Sequence, residues 1–135
     1  MIPQISQAPG VVQLVLNFLQ VLEQQGFTGD TATSYADRLT MATDNSVYQL
    51  LPDAILFPRS TADVSLLAIL AAEERFKTLI FTPRGGGTGT NGQALNAGII
   101  VDMSRYMNRI IEINPEEGWV RVEAGVIKDQ LNQFL

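Results

Sequence analysis

The sequence predicts an α+β fold: a small parallel three-stranded sheet with flanking helices, followed by the start of an antiparallel subdomain. Three observations lead there. Short apolar runs stand at residues 54–57, 79–82 and 99–102, the length and composition of buried strands. Between the first two, Val64, Leu67, Ala68, Ala71 and Ala72 recur at helical spacing behind Ser60, with Asp63 three residues beyond that serine. From residue 109 onward the texture changes to alternation, with Val120, Val122 and Ala124 on one side and Trp119, Arg121 and Glu123 on the other, the pattern of an antiparallel sheet with one wet face.

Taken in order, Val11, Leu14, Val15, Phe18 and Leu22 place a helix over residues 11–25, and Gly26 offers a left-handed stop. Residues 27–45 are rich in Thr, Asp, Ser and Ala with weak periodicity, and only a short helix around residues 35–41 is legible. Ala54-Ile55-Leu56-Phe57 reads as a strand closed by Pro58, and Ser60 as the N-cap of the next helix. Leu79-Ile80-Phe81-Thr82 repeats the strand pattern and Pro83 ends it. Two strands joined by one helix form a parallel crossover unit, and residues 99–102 supply the third strand. Asn114-Pro115-Glu116-Glu117-Gly118 then reads as the loop of a hairpin. The expected organisation is a helical lead-in over residues 1–50, an α/β unit over 51–104 with a loop at 83–96, and a second unit beginning over 105–135. The helical pattern from residue 127, with Leu131, Phe134 and Leu135 in want of a partner surface, reads as a fragment of something longer.

Composition removes several function classes. The 135 residues suffice for one core, and 46% apolar with 17% charged residues is globular rather than disordered. Net charge is −5 with nine Lys and Arg scattered along the chain, which argues against nucleic acid. Any phosphate must be held by backbone dipoles and one or two cations. The chain has no Cys, so no disulfide, metal or iron–sulfur site is built on thiolates from this stretch. It has no His, which removes every triad built on imidazole. The apolar run at residues 11–22 is broken by Gln13, Asn17 and Gln20 and falls short of the ~20 residues of a membrane span. Residues 1–10 lack a positive n-region, and the cytoplasm is the expected location.

The chemistry lies in Pro83-Arg84-Gly85-Gly86-Gly87-Thr88-Gly89-Thr90-Asn91-Gly92, with five glycines in the eight positions from Gly85 to Gly92. Without side chains, successive N–H groups can point into one concavity and bind phosphate oxygens. Thr88, Thr90 and Asn91 add short polar groups, and Arg84 a cation. A flexible surface loop is the competing explanation. Against it stands the position of the loop, after one buried strand and directly before another, where α/β sheets place ligands. Gly87-Thr88-Gly89-Thr90-Asn91-Gly92 matches G-x-G-x-x-G, but residues 93–98 leave no room for the helix that motif opens. No Lys-Ser or Lys-Thr follows the glycines, so a Walker A loop fails.

Residues 52–58 with 60–64, the loop at 83–95, Ile99-Ile100-Val101-Asp102-Met103-Ser104, residues 110–113 and Val120-Arg121-Val122-Glu123-Ala124-Gly125-Val126 occur in the order of the flavin-binding domain of the vanillyl-alcohol oxidase and p-cresol methylhydroxylase family, which this chain resembles. Thr43-Asp44-Asn45-Ser46-Val47-Tyr48 resembles its upstream segment. Within that family it is most similar to the large bacterial FAD-linked D-2-hydroxyacid dehydrogenases that carry a further iron–sulfur region. The resemblance implies FAD, oxidation of a 2-hydroxy acid of the D-2-hydroxyglutarate or D-lactate type by hydride transfer to flavin, and a separate electron acceptor. It places Arg84, Gly85, Gly86, Gly87, Thr88 and Gly89 around the pyrophosphate, with Thr90, Asn91 and Gly92 continuing the loop. Ser104 and the Gly125 turn would approach other parts of the cofactor, although Ser104 also suits a plain turn or cap and Gly125 a strand end.

Some family members attach FAD covalently through a His where this chain has Thr88, so no such bond can form here. Asp102 reads as a strand terminator, Trp119 as a packing residue, and Glu112, Glu116, Glu117 and Glu123 as a solvated surface. Catalytic residues and the substrate carboxylate site are not found in this stretch, and the fragment alone is expected to be inactive. A nucleotide-binding or interaction module without redox chemistry, and a flavin reductase or hydroxylase subunit sharing the domain, are the alternative functions.

Overall fold

In the computed structural model, which describes residues 10–135, the chain runs α1 (Gln13–Gln24), β1 (Asp30–Ala32), α2 (Tyr35–Thr40), β2 (Ala54–Phe57), α3 (Thr61–Ala71), β3 (Phe81–Arg84), β4 (Ile99–Asp102), β5 (Ile110–Asn114), β6 (Trp119–Val122) and α4 (Lys128–Asn132). The reading of residues 1–9 as lacking a secretory n-region lies outside the described residues. Among the described residues no helix is long and apolar enough to cross a membrane.

The three apolar runs share one sheet. β4 lies at its centre, parallel to β2 through Ala54↔Ile99 and Leu56↔Val101 and parallel to β3 through Phe81↔Ile99 and Arg84↔Asp102. β1 adds an antiparallel edge to β2, with Thr31 opposite Leu56, so the sheet has four strands in the order β1-β2-β4-β3. The extra strand escapes a sequence reading because Asp30-Thr31-Ala32 carries no apolar run, and only its neighbour makes it a strand.

The expectation that Pro83 ends its strand is corrected: β3 starts later than residue 79 and contains Pro83. The Ile99 amide donates to the Ile80 carbonyl at 2.8 Å and the Met103 amide to the Arg84 carbonyl at 2.8 Å. Even-numbered residues therefore face β4, and Pro83 turns its missing N–H to the open edge, where proline is tolerated.

Helices α1 and α3 cover one face. Val15, Phe18 and Leu22 of α1 and Leu67 and Leu70 of α3 are buried with Ala54, Leu56, Ile99, Val101 and Phe76. Phe18 meets Phe76 edge-on with ring centroids 5.2 Å apart, a favoured aromatic geometry. Ile55 and Ile100, also fully buried, alternate to the other face. On that side Arg38 of α2, only 3% exposed, donates from Nε to the Pro52 carbonyl at 2.6 Å and pairs with Asp53 at 3.7 Å.

The helix ends follow their sequence signals. Gly26 has φ +94, with the Phe27 amide on the Leu22 carbonyl and the Gly26 amide on the Glu23 carbonyl, the paired bonds of a glycine C-terminal stop. Ser60 Oγ accepts from the Asp63 amide at 3.2 Å. At the outer edge the Tyr106 hydroxyl donates to Asp30, and the Arg59 guanidinium lies 4.1 Å above the Tyr106 ring. These contacts tie β1 to the segment after β4.

The hairpin departs from its expected pattern. Residue pairing shifts between Ile110 and Glu112, a bulge that leaves Ile111 exposed. The alternation does not give a dry face: Trp119 and Val120 are half-buried while Val122 and Ala124 are exposed. A two-stranded ribbon with no layer packed on it has no interior.

Asp63 is the polar joint of this fold. It is 3% exposed and accepts from the Thr28 amide, the Thr28 hydroxyl and the Arg59 amide, each at 2.8 Å. Burial pushes its pKa up, but those donors outweigh burial and hold the carboxyl below its usual value. Asp63→Asn should cost about 1–3 kcal/mol, the penalty for disrupting a buried hydrogen-bonded charge, read as a lower urea midpoint near pH 7. A depressed folded pKa means that this stabilisation is complete above about pH 4 and is lost as pH falls through the lower folded value. The gap between the two proteins should therefore narrow in acid.

Candidate functional site

Parallel strands β3 and β4 are neighbours, so the chain must return from the carboxyl end of β3 to the amino end of β4. Residues 85–98 make that return without a helix. The loop is pinned as it re-enters the sheet: Asn96 accepts from the Gly98 amide and donates to the Ile99 carbonyl at 3.2 Å. Further out, the Leu95 amide donates to the Gly92 carbonyl at 3.1 Å and the Asn91 amide to Gln93 Oε1 at 2.9 Å. No helix opens after Gly92, so the structural requirement of the dinucleotide motif is not met.

The glycines do different things. Only Gly87 and Gly92 in this loop have positive φ, +64 and +76. A Cβ on Gly87 would come within 2.4 Å of Arg84 Nη2, and one on Gly92 within 3.2 Å of the Tyr48 ring. A Cβ on Gly85 would meet nothing within 4 Å, and one on Gly86 only the Thr88 methyl at 3.5 Å. The chain itself therefore does not demand glycine at 85 and 86, whose outer side is open. Pro83, Gly85, Gly86, Thr88, Gly89 and Gln93 line a shallow depression of about 250 Å³ there. The Thr88 and Thr90 side chains are exposed and make no hydrogen bond among the described residues.

Behind the loop stands a wall that sequence reasoning assigned no role. Arg84 Nη2 donates to the Thr43 carbonyl at 2.8 Å, and the Asn45 amide donates to the Gly87 carbonyl at 3.0 Å. Arg84 Nη1 and Asp44 Oδ2 are both buried without a hydrogen-bond partner. The Ser46 hydroxyl and amide, with the Arg84 charge, hold the Asp44 carboxyl below its usual value against the opposing effect of burial. The resemblance of residues 43–48 to the family's upstream segment was the signal in the sequence, and it does not say what the turn packs on.

Ser104 follows β4 at the carboxyl end of the sheet, and Gly125 packs against Met103 and Met107 beside it. The Met103 amide is on the Arg84 carbonyl, and a Cβ on Gly125 would lie 2.1 Å from the Met103 carbonyl oxygen and 2.7 Å from that of Met107. Gly125 is thus required by close backbone approach. Asp102 Oδ1 accepts from the Ser104 amide at 2.8 Å and from the Ser104 hydroxyl at 2.7 Å, the strand-ending role expected of it. On the hairpin, Glu112 pairs with Arg121 at 3.0 Å and Glu123 with Arg109 at 2.6 Å, while the Trp119 indole donates to Glu117 at 2.6 Å. The Arg109 guanidinium holds the Glu123 carboxyl below its usual range.

Comparison with known proteins bears on this site. A D-2-hydroxyglutarate dehydrogenase of Escherichia coli strain K12 is 89% identical over all 135 residues, and one of Pantoea ananatis is 76% identical over the same length. The chain spans 13% of the length of each. In fold, an alkyldihydroxyacetonephosphate synthase structure matches 98% of this chain and 27% of its own, with a TM-score of 0.77 at 20% identity. The family model described as FAD binding domain matches residues 52–135, a span that takes in the glycine loop, Ser104 and Gly125, and the chain belongs to that family.

Proposed function

We propose that the loop at residues 83–96 holds the pyrophosphate of FAD, and that the chain is the FAD-binding part of a dehydrogenase acting on a D-2-hydroxy acid. The observation that carries this reading is the open outer side of Gly85 and Gly86, flanked by the unspent hydroxyls of Thr88 and Thr90, at the carboxyl end of a parallel sheet. A diphosphate needs several donors converging from a surface that backbone can approach closely. In a chain of net charge −5, local N–H dipoles must supply that field, with the Arg84 charge standing behind them, because the overall charge opposes an anion.

In this reading Arg84, Gly85, Gly86, Gly87, Thr88 and Gly89 surround the diphosphate, Thr90, Asn91 and Gly92 extend the cradle, and Ser104 and Gly125 border other parts of the cofactor. The bound flavin supplies the acceptor for a hydride from the hydroxy acid; this chain binds and orients it. FAD is held non-covalently by this loop, since Thr88 offers no imidazole and these 135 residues contain no His. The identity of the relatives favours D-2-hydroxyglutarate over D-lactate as substrate. The substrate site, the electron acceptor contacts and any iron–sulfur cluster belong to residues outside these 135, which contain no Cys. The segments 1–50, 51–104 and 105–135 act as lead-in, first flavin subdomain and start of the second, with the cytoplasm as the expected location.

Two experiments test this. In the full-length protein Gly86→Asp should abolish flavin retention while Thr88→Ser spares it, judged by flavin absorbance per polypeptide after purification. The added carboxylate has room within the protein, so its effect falls on the anion, through sterics and Coulomb repulsion; serine keeps the hydroxyl. Acid precipitation should leave the yellow cofactor in the supernatant. A Gly86→Asp protein with full flavin content, or flavin that stays on a peptide spanning residues 84–92, would refute the assignment. The isolated 135-residue chain should bind FAD weakly or not at all, since an incomplete site is poorly preorganised. Sub-micromolar binding in calorimetry would contradict that.

A further inference from the structure

We propose that Arg84 is a positioning residue: it clamps the turn at residues 43–46 onto Gly87 and acts on the flavin diphosphate through the shape of the loop. The inference rests on the reading of this loop as the FAD site. Its guanidinium is held by the protein, although Arg84 also lines the depression over the loop. Nη2 donates to the Thr43 carbonyl at 2.8 Å. The group also fills the space a Gly87 side chain would occupy, with Nη2 2.4 Å and Cζ 2.9 Å from an ideal Cβ there. It therefore lies against the glycine at φ +64, where the loop turns.

A second bond closes the unit. The Asn45 amide donates to the Gly87 carbonyl at 3.0 Å, so Arg84, Thr43, Asn45 and Gly87 form a ring of contacts between two segments about forty residues apart in sequence. At the base of the ring the Arg84 carbonyl accepts from the Met103 amide at 2.8 Å, which anchors the backbone from which the side chain rises. The remaining nitrogen, Nη1, is buried and unpartnered, as is Asp44 Oδ2. Opposite charges behind the loop attract each other, and after the Ser46 hydroxyl and the neighbouring amides the Arg84 charge adds to the lowering of the Asp44 pKa.

The clamp needs a guanidinium. A planar fork can lie flat on Gly87 and still aim one N–H at a carbonyl, whereas an ammonium is a point donor on a flexible stem. A purely electrostatic role toward phosphate would tolerate lysine; this role does not.

The test uses the full-length protein, stripped of flavin and reconstituted. Hydrogen exchange is followed in peptides covering residues 43–48 and 85–92, and FAD affinity by fluorescence quenching, for Arg84→Gln, Arg84→Lys and Thr88→Ala. In the flavin-free state both Arg84 variants should exchange the Asn45 amide at least about tenfold faster than the parent, because opening of a bond scales its exchange, and both should bind FAD at least tenfold more weakly. Thr88→Ala should weaken FAD binding with exchange at residues 43–48 unchanged. Peptides from β2 and β4 report global folding. Should Arg84→Gln lose their protection as well, Arg84→Lys decides. Unchanged exchange at residues 43–48 in a folded Arg84 variant, or FAD affinity restored by lysine, would overturn the proposal. A parent protein that binds no FAD would overturn the flavin assignment itself, while the exchange difference would still stand or fall as evidence for the clamp.

Discussion

Everything at the site depends on the parallel pairing of β4 between β2 and β3. Parallel neighbours oblige the chain to travel the full length of the sheet between them, and the usual vehicle is a helix, which spends its N–H groups on its own carbonyls. Between β2 and β3 the chain follows that rule through α3. Between β3 and β4 it does not: residues 85–98 cross as a loop, and amides that a helix would have consumed are left near the carboxyl end of the sheet. The proposed anion cradle rests on that topological departure, and glycine is the residue type that lets backbone line a surface.

A loop of this kind needs a wall, since glycine-rich backbone has much conformational freedom to lose. The turn at residues 43–46 supplies the wall, held by Arg84 and by the Asn45 amide. The two ends of the loop are set differently. Arg84 is fixed through Met103, to which Gly125 is also packed, and the far end by the Asn96 side chain bridging the entry to β4. Between these two anchors lies the stretch whose outer side is open at Gly85 and Gly86.

The hairpin shows the opposite situation. Its acids are matched with Arg109 and Arg121 across the ribbon, and its apolar residues find no interior among the described residues. The Arg121–Glu112 pair is exposed and contributes little, whereas the largely buried Glu123 side chain also accepts from the Arg109 amide; the register rests on that contact, on backbone bonds and on the Asn114–Gly118 turn closure at 2.9 Å. The contrast with β2 and β4, buried on both faces, locates the stable part of this structure around those strands and the two covering helices.

Local pattern was enough for much of this. Apolar runs as short as Ala54–Phe57 and Ile99–Asp102 are legible as strands because each residue in them is buried on one face or the other, and Ser60 and Gly26 mark helix ends through bonds made within a few residues. The glycine density after β3 and the absence of His and Cys from these residues likewise belong to the sequence alone, and they exclude imidazole and thiolate chemistry from this stretch. What only tertiary structure decided are the features whose partners are remote in sequence. β1 is a strand because β2 lies beside it, Pro83 stays inside β3 because that strand is an edge, and Arg84 turns toward Thr43 because residues 43–46 fold back onto Gly87. Gly125 is glycine because Met103 and Met107 crowd it. Bonds that close over a few residues leave a mark in the local sequence, whereas contacts across tens of residues are set by packing and leave none.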